Sequence, residues 1–172
     1  LFAWRAPKVS LGGAFALVSR ETLLLLNNVL LVVACGSVLL GTLYPLLLDA
    51  LNMGKISVGP PYFNAVFVPI MVPLLFLMAA GPIARWKHAE VRDIARQLAL
   101  AFAVAVIGGA LLPFAMGPWS PLVAMGLMLA LWIVAGAALQ IRERLKTGAP
   151  PRAYWGMQLA HLGIAVFVVG VT

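Results

Sequence analysis

Few side chains in this sequence are equipped for chemistry. There are two histidines, His88 and His161, and one cysteine, Cys35. His161 lies in the last apolar stretch, nine residues after Arg152. If Arg152 marks a membrane boundary, a helix carries His161 roughly 13 Å inward, near the middle of a hydrocarbon core about 30 Å thick. Apart from Cys35 and the tyrosines, no other ionisable side chain lies so deep. An imidazole at that depth is costly and marks a candidate site. It can ligate a metal or haem iron, or relay a proton. It can also be a neutral histidine hydrogen-bonded to a neighbouring helix, and the residues alone leave both readings open.

The remaining candidates are weaker. Met157 lies one turn before His161 on the same helical face and reads as packing. His88 sits in a charged loop and reads as solvated. Cys35 rules out an internal disulfide, a CxxC pair and a thiolate cluster, and in mid-span it reads as a small hydrophobe. Asn27 and Asn28 lie inside an apolar span, where at least one amide is expected to bond another helix. Gly36, Ser37 and Gly41 permit close helix approach. The run Gly59-Pro60-Pro61-Tyr62-Phe63-Asn64 is a stiff segment with Gly59 suited to a tight turn. It either re-enters the next span or offers a contact surface.

The elements that must position these residues are membrane helices. The chain has 172 residues, 63% hydrophobic and 10% charged, with a mean hydropathy of +1.04. Soluble domains average about 45–50% apolar and about 25% charged, so a soluble enzyme is excluded. Five apolar stretches, at about 22–48, 64–84, 97–113, 121–141 and 153–172, predict an all-α polytopic bundle. Residues 1–20 read as an interfacial segment anchored by Trp4, and 21–172 as the transmembrane bundle. Ser19 is placed to cap the first span, with Glu21 in its first turn. Pro69 and Pro73 predict a kinked second span packed against protein. Trp86, Trp119 and Trp155 read as interface anchors.

Charge sets the orientation. Of the 12 Lys and Arg residues, eleven lie before residue 21 or in the 85–96 and 142–152 loops, and only Lys55 lies on the other side. The positive-inside rule places the eleven, and the N-terminus, in the cytoplasm. The formal charge of +7 is therefore a topology signal rather than a nucleic-acid one. The chain opens Leu1-Phe2-Ala3-Trp4, ends at Thr172 and reads as an internal piece of a longer protein.

Three strings then resemble a known family. They are Ser19-Arg20-Glu21 leading into LLLLNN, then GSVLLGTLYPLL, then KISVGPPYFNAVFVP. Together they resemble the CcmF family, haem lyase subunits of the bacterial System I cytochrome c maturation pathway. The resemblance implies a bacterial inner-membrane protein with its active side periplasmic. It implies covalent attachment of haem to the CXXCH cysteines of apocytochrome c, with the haem chaperone CcmE and with CcmH and CcmI as partners. It further implies a haem b within the membrane held by two histidines. His161, in GMQLAHLGIAVFVVG, resembles the second of them, as an axial ligand to haem iron. The first, the two periplasmic histidines and the tryptophan-rich WWD motif of the family have no counterpart here. The stretch alone is therefore expected to be inactive, and no catalytic residue can be named. The alternatives are a transporter fragment or a partner-docking bundle.

Overall fold

The computed structural model describes residues 17–83, 90–117 and 119–172. The predicted interfacial segment lies almost wholly outside these residues, as do Trp86 and His88. The described residues form five long helices and no strand: α1 (Arg20–Ala50), α2 (Pro60–Ala80), α3 (Val91–Met116), α4 (Pro121–Lys146) and α5 (Arg152–Val171). Each is long and apolar enough to cross a membrane.

The helix ends follow local chemistry. Ser19 caps α1, its Oγ accepting from the Thr22 amide at 3.2 Å, with Glu21 in the first turn. This satisfies a donor the helix leaves over and places a carboxylate at the positive end. The chain leaves α1 through Asn52, in the left-handed region at φ 56°. Pro60 and Pro61 occupy the first positions of α2, where a missing N–H costs nothing. Pro121 opens α4 in the same way.

Three boundaries differ from the hydropathy reading. The first turns of α2 absorb Pro60 to Asn64. Helix α3 starts at Val91, six residues before the predicted span, and α4 runs on to Lys146. Charged residues such as Arg92, Asp93, Arg142 and Glu143 end an apolar span without ending a helix, because their exposed side chains tolerate helical backbone well. Pro69 and Pro73 lie inside α2, which continues through both with their rings exposed.

Helix α4 forms the centre. Its Leu129, Ala130 and Ile133 pack with Leu74 and Leu75 of α2 and Ala165 and Val168 of α5, with Leu30 of α1 against them. Trp132 joins Ala79 and Ala80 of α2 to Leu98, Ala101 and Ala105 of α3. Small residues let the backbones close up. A Cβ on Gly109 would lie 2.7 Å from Met128 Cα, so α3 and α4 touch along bare backbone. This matches how membrane helices associate, by close packing and not by exclusion of water.

Candidate functional site

Helix α5 turns one seam toward the bundle. Tyr154, Gln158, His161, Ala165 and Val168 recur at alternating four- and three-residue spacing, the period of a packed helix face. Gln158, Ala165 and Val168 are buried, and Tyr154 and His161 are half-buried. The structure thus places His161 in the middle of α5, on its inward side. Met157, one turn earlier, is also half-buried. Among the described residues His161 has no hydrogen-bond partner, so the neighbouring-helix bond that would make it a plain structural residue is not formed. Also among the described residues, no group of three or more His, Cys, Asp or Glu could hold a metal ion.

A polar chain runs beside His161. Gln158 is 1% exposed. Its Nε2 donates to Gln140 Oε1 at 3.2 Å, and Gln140 Nε2 donates to the Ala79 carbonyl at 3.2 Å. The chain links α5 to α4 to α2. Three buried polar atoms have no hydrogen-bond partner among the described residues: Gln158 Oε1, Tyr154 Oη and Asn27 Oδ1. Asn28 is exposed. The expected bond from the asparagine pair to another helix is not seen among the described residues.

An open cleft of about 830 Å³ lies at the end of the bundle that carries the arginines. Arg20, Gln97, Gln140, Arg144, Tyr154 and Met157 are among the residues lining it. Met157 and Tyr154 therefore lie between this cleft and the turn that carries His161. Arg144 donates to Thr147 Oγ1 at 3.2 Å, and Lys146 pairs with Glu143 at 2.6 Å.

The Gly59–Asn64 run does a packing job at the opposite end. Gly59 caps α2. Tyr62 and Phe63 meet edge-to-face at 5.2 Å and close over Gly41. Tyr62 Oη donates to the Ser37 carbonyl of α1 at 2.9 Å. Only Gly59, Pro60, Pro61 and Asn64 are left facing away from that contact, and Pro60, Pro61 and Asn64 are exposed.

CcmF of Pseudomonas aeruginosa, a cytochrome c-type biogenesis protein, is 46% identical over 178 residues, covering 99% of this chain. The chain is a CcmF-type sequence. CcmF of Escherichia coli is also 46% identical over 178 residues, and CycK of Rhizobium meliloti 37% over 183 residues. A solved structure of the cytochrome c haem lyase CcmF superposes at a TM-score of 0.69 with 27% identity, over 91% of this chain and 25% of that one. No family model matches. The CcmF-type chain spans about a quarter of the length of these relatives, 27% for both the Pseudomonas and the Rhizobium proteins. The likeness read from the SRE and GPPYFN strings is thus borne out, together with the all-helical, multi-pass architecture.

In this CcmF-type chain, the sequence singled out His161 as a candidate and left Gln158, Gln140 and Tyr154, which lie beside it or line the cleft, unremarked. A signal for Gln158 was present: an amide inside an apolar span, three residues before the only deep histidine. For Gln140 there was none, because it lies at the edge of the apolar stretch and its partner Gln158 is 18 residues away.

Proposed function

We propose that this stretch belongs to the membrane subunit of a cytochrome c haem lyase and supplies His161 as an axial ligand to a haem b within the membrane. One observation carries the reading. His161 is an inward-facing, half-buried imidazole in mid-helix with no hydrogen-bond partner among the described residues. A bare metal ion would need three or more protein donors. Haem iron brings four nitrogens of its own and asks for only one or two, which fits a lone imidazole in apolar surroundings.

Bound there, haem would supply an iron able to change oxidation state. The chain's own residues do the rest. His161 offers a ring nitrogen lone pair and holds a proton on the other nitrogen. Leu74 and Leu75 of α2, Leu129 and Ile133 of α4 and Val168 of α5 form the apolar core into which the same face of α5 packs. A second ligand would come from another segment, since His88 lies in a charged loop sequence.

The orientation read from the basic loops puts the Arg20–Arg144 end in the cytoplasm and Lys55 in the periplasm of a bacterial inner membrane. Haem attachment to CXXCH cysteines would take place on the Lys55 side, with CcmE delivering haem and CcmH and CcmI presenting apocytochrome c. The transporter alternative draws on an interrupted second span, and α2 is continuous through Pro69 and Pro73.

The test is the visible spectrum of the full-length protein in detergent, oxidised and reduced, with and without His161→Ala. A low-spin b-type spectrum that is lost or shifted in the variant supports the reading. An unaltered spectrum overturns it.

A further inference from the structure

We propose that Gln158 is the positioning residue for His161 once haem is held: its side-chain oxygen, unpartnered among the described residues, would then accept the imidazole N–H, a bond not formed in this structure, and so set which ring nitrogen is left for the iron. This rests on His161 being a ligand.

A buried amide ordinarily has all its polar atoms paired. Gln158 is 1% exposed, yet only its nitrogen is used among the described residues. That nitrogen reaches across to α4 and donates to Gln140, which in turn donates to the Ala79 carbonyl. Both links run in one direction, donor to acceptor, from α5 through α4 to a fixed backbone carbonyl of α2. The atom left over at the head of the chain is an acceptor, Gln158 Oε1. With the nitrogen engaged by Gln140, the oxygen is the atom left over.

An imidazole that is also unpartnered among the described residues lies one turn on. Residues three apart share a helix face, and helical side chains lean back toward the N-terminus. That direction is the one in which a His161 side chain would reach the turn that carries Gln158. A neutral imidazole has one N–H and one lone pair, and a metal-bound histidine almost always gives its N–H to a carbonyl, carboxylate or water. Tyr154 Oη is two turns away on the same seam, too far for a direct bond. Met157 offers only a weakly accepting sulfur. Asn27 Oδ1, also buried and unpartnered among the described residues, is on α1 and serves as the control acceptor.

The pairing predicts an electronic effect. An accepted N–H makes the imidazole a stronger donor to iron and favours the oxidised state. Losing the acceptor should raise the reduction potential of the haem and loosen its hold. Outer partners of metal-bound histidines typically contribute about ten- to a hundredfold in affinity.

The experiment uses the full-length protein in detergent, with four variants: Gln158→Leu, Gln158→Glu, Asn27→Leu and His161→Ala. Potentiometric titration gives the haem potential, and competition with apomyoglobin gives haem retention. Gln158→Leu should raise the potential and speed haem loss about tenfold or more while the spectrum stays low-spin. Gln158→Glu keeps an acceptor of the same size, so it should hold haem as tightly as the parent protein, with a potential no higher. That variant decides the matter if Gln158→Leu does not fold. The proposal fails if Asn27→Leu moves the potential and Gln158→Leu does not. It also fails if Gln158→Leu matches the parent in both measurements while His161→Ala loses the spectrum, in which case His161 remains a ligand without this support. If His161→Ala leaves the spectrum intact, the ligand reading falls first and the role of Gln158 falls with it.

Discussion

The indole nitrogen of Trp132 donates to the backbone carbonyl of Phe76 at 2.9 Å, while the two rings stack at 5.1 Å and 10°. Phe102 of α3 meets the same indole edge-on at 5.8 Å. One side chain of α4 thus ties α2 and α3 together in mid-bundle, with its polar N–H satisfied away from water. Tryptophan is suited to this because it combines a large apolar body with a single donor.

Trp132→Ala should therefore cost about 3–5 kcal/mol of stability, as truncating a buried aromatic generally does. Trp132→Phe keeps the stacking and loses the hydrogen bond, so it should cost roughly 1 kcal/mol. Thermal unfolding in detergent, followed by circular dichroism, should rank the parent first, Trp132→Phe second and Trp132→Ala last. Equal midpoints for the two variants would mean the rings contribute nothing beyond the bond.

Two glycines give a matched pair. A Cβ on Gly109 would lie 2.7 Å from the Met128 backbone, which cannot give way without moving a helix. A Cβ on Gly163 would meet nothing within 4 Å. Gly109→Ala should lower stability by about 1–3 kcal/mol, the usual cost of overpacking. Gly163→Ala should leave stability unchanged or raise it slightly, because alanine favours helix. The same unfolding assay checks both, and equal losses would contradict the close α3–α4 approach.

The Tyr62–Ser37 bond predicts a localised effect. Tyr62→Phe removes one hydrogen bond and should cost about 1 kcal/mol. A Cβ on Gly41 would already lie 2.6 Å from the Tyr62 ring, so Gly41→Leu should separate α1 from α2. Limited proteolysis in the 51–59 connection should be little changed by the first variant and markedly faster in the second.

Orientation is tested with a single reporter thiol. In a Cys35→Ser background, Lys55→Cys should react with a membrane-impermeant maleimide added to intact spheroplasts, since the Lys55 side chain is 88% exposed. Arg144→Cys should react only after the membrane is opened. The reverse pattern would invert the assignment drawn from the positive-inside rule.

Much of this architecture was legible in the sequence, for physical reasons that differ by residue. The five spans could be read because a bilayer demands long apolar runs. The mid-helix place of His161 could be read because Arg152 starts α5 and the apolar run continues past the histidine. The ends of α3 and α4 could not, since Arg92 and Arg142 leave the apolar region while the backbone stays helical. The role of Tyr62 was hidden as well. Two prolines before it look like a loop, yet they start α2 and deliver the phenol to Ser37. Gln140 and Gln158 escaped notice because a hydropathy count registers an amide as a penalty and says nothing of the partner that removes it.

The Gly41–Tyr62 contact also has a mechanical side. It lies near the first turn of α2, so α1 continues past it from Thr42 to Ala50 with no α2 alongside, an overhang of roughly 13 Å at the usual rise. Pro45 falls within that overhang and has no N–H to give to the carbonyl of Gly41, four residues before it. The last clamped residue and the first broken rung of the ladder are therefore the same residue. Helix α1 is a cantilever whose compliance is concentrated at its support, and a sideways load on its outer end swings that end about Gly41 while the four-helix body stays still.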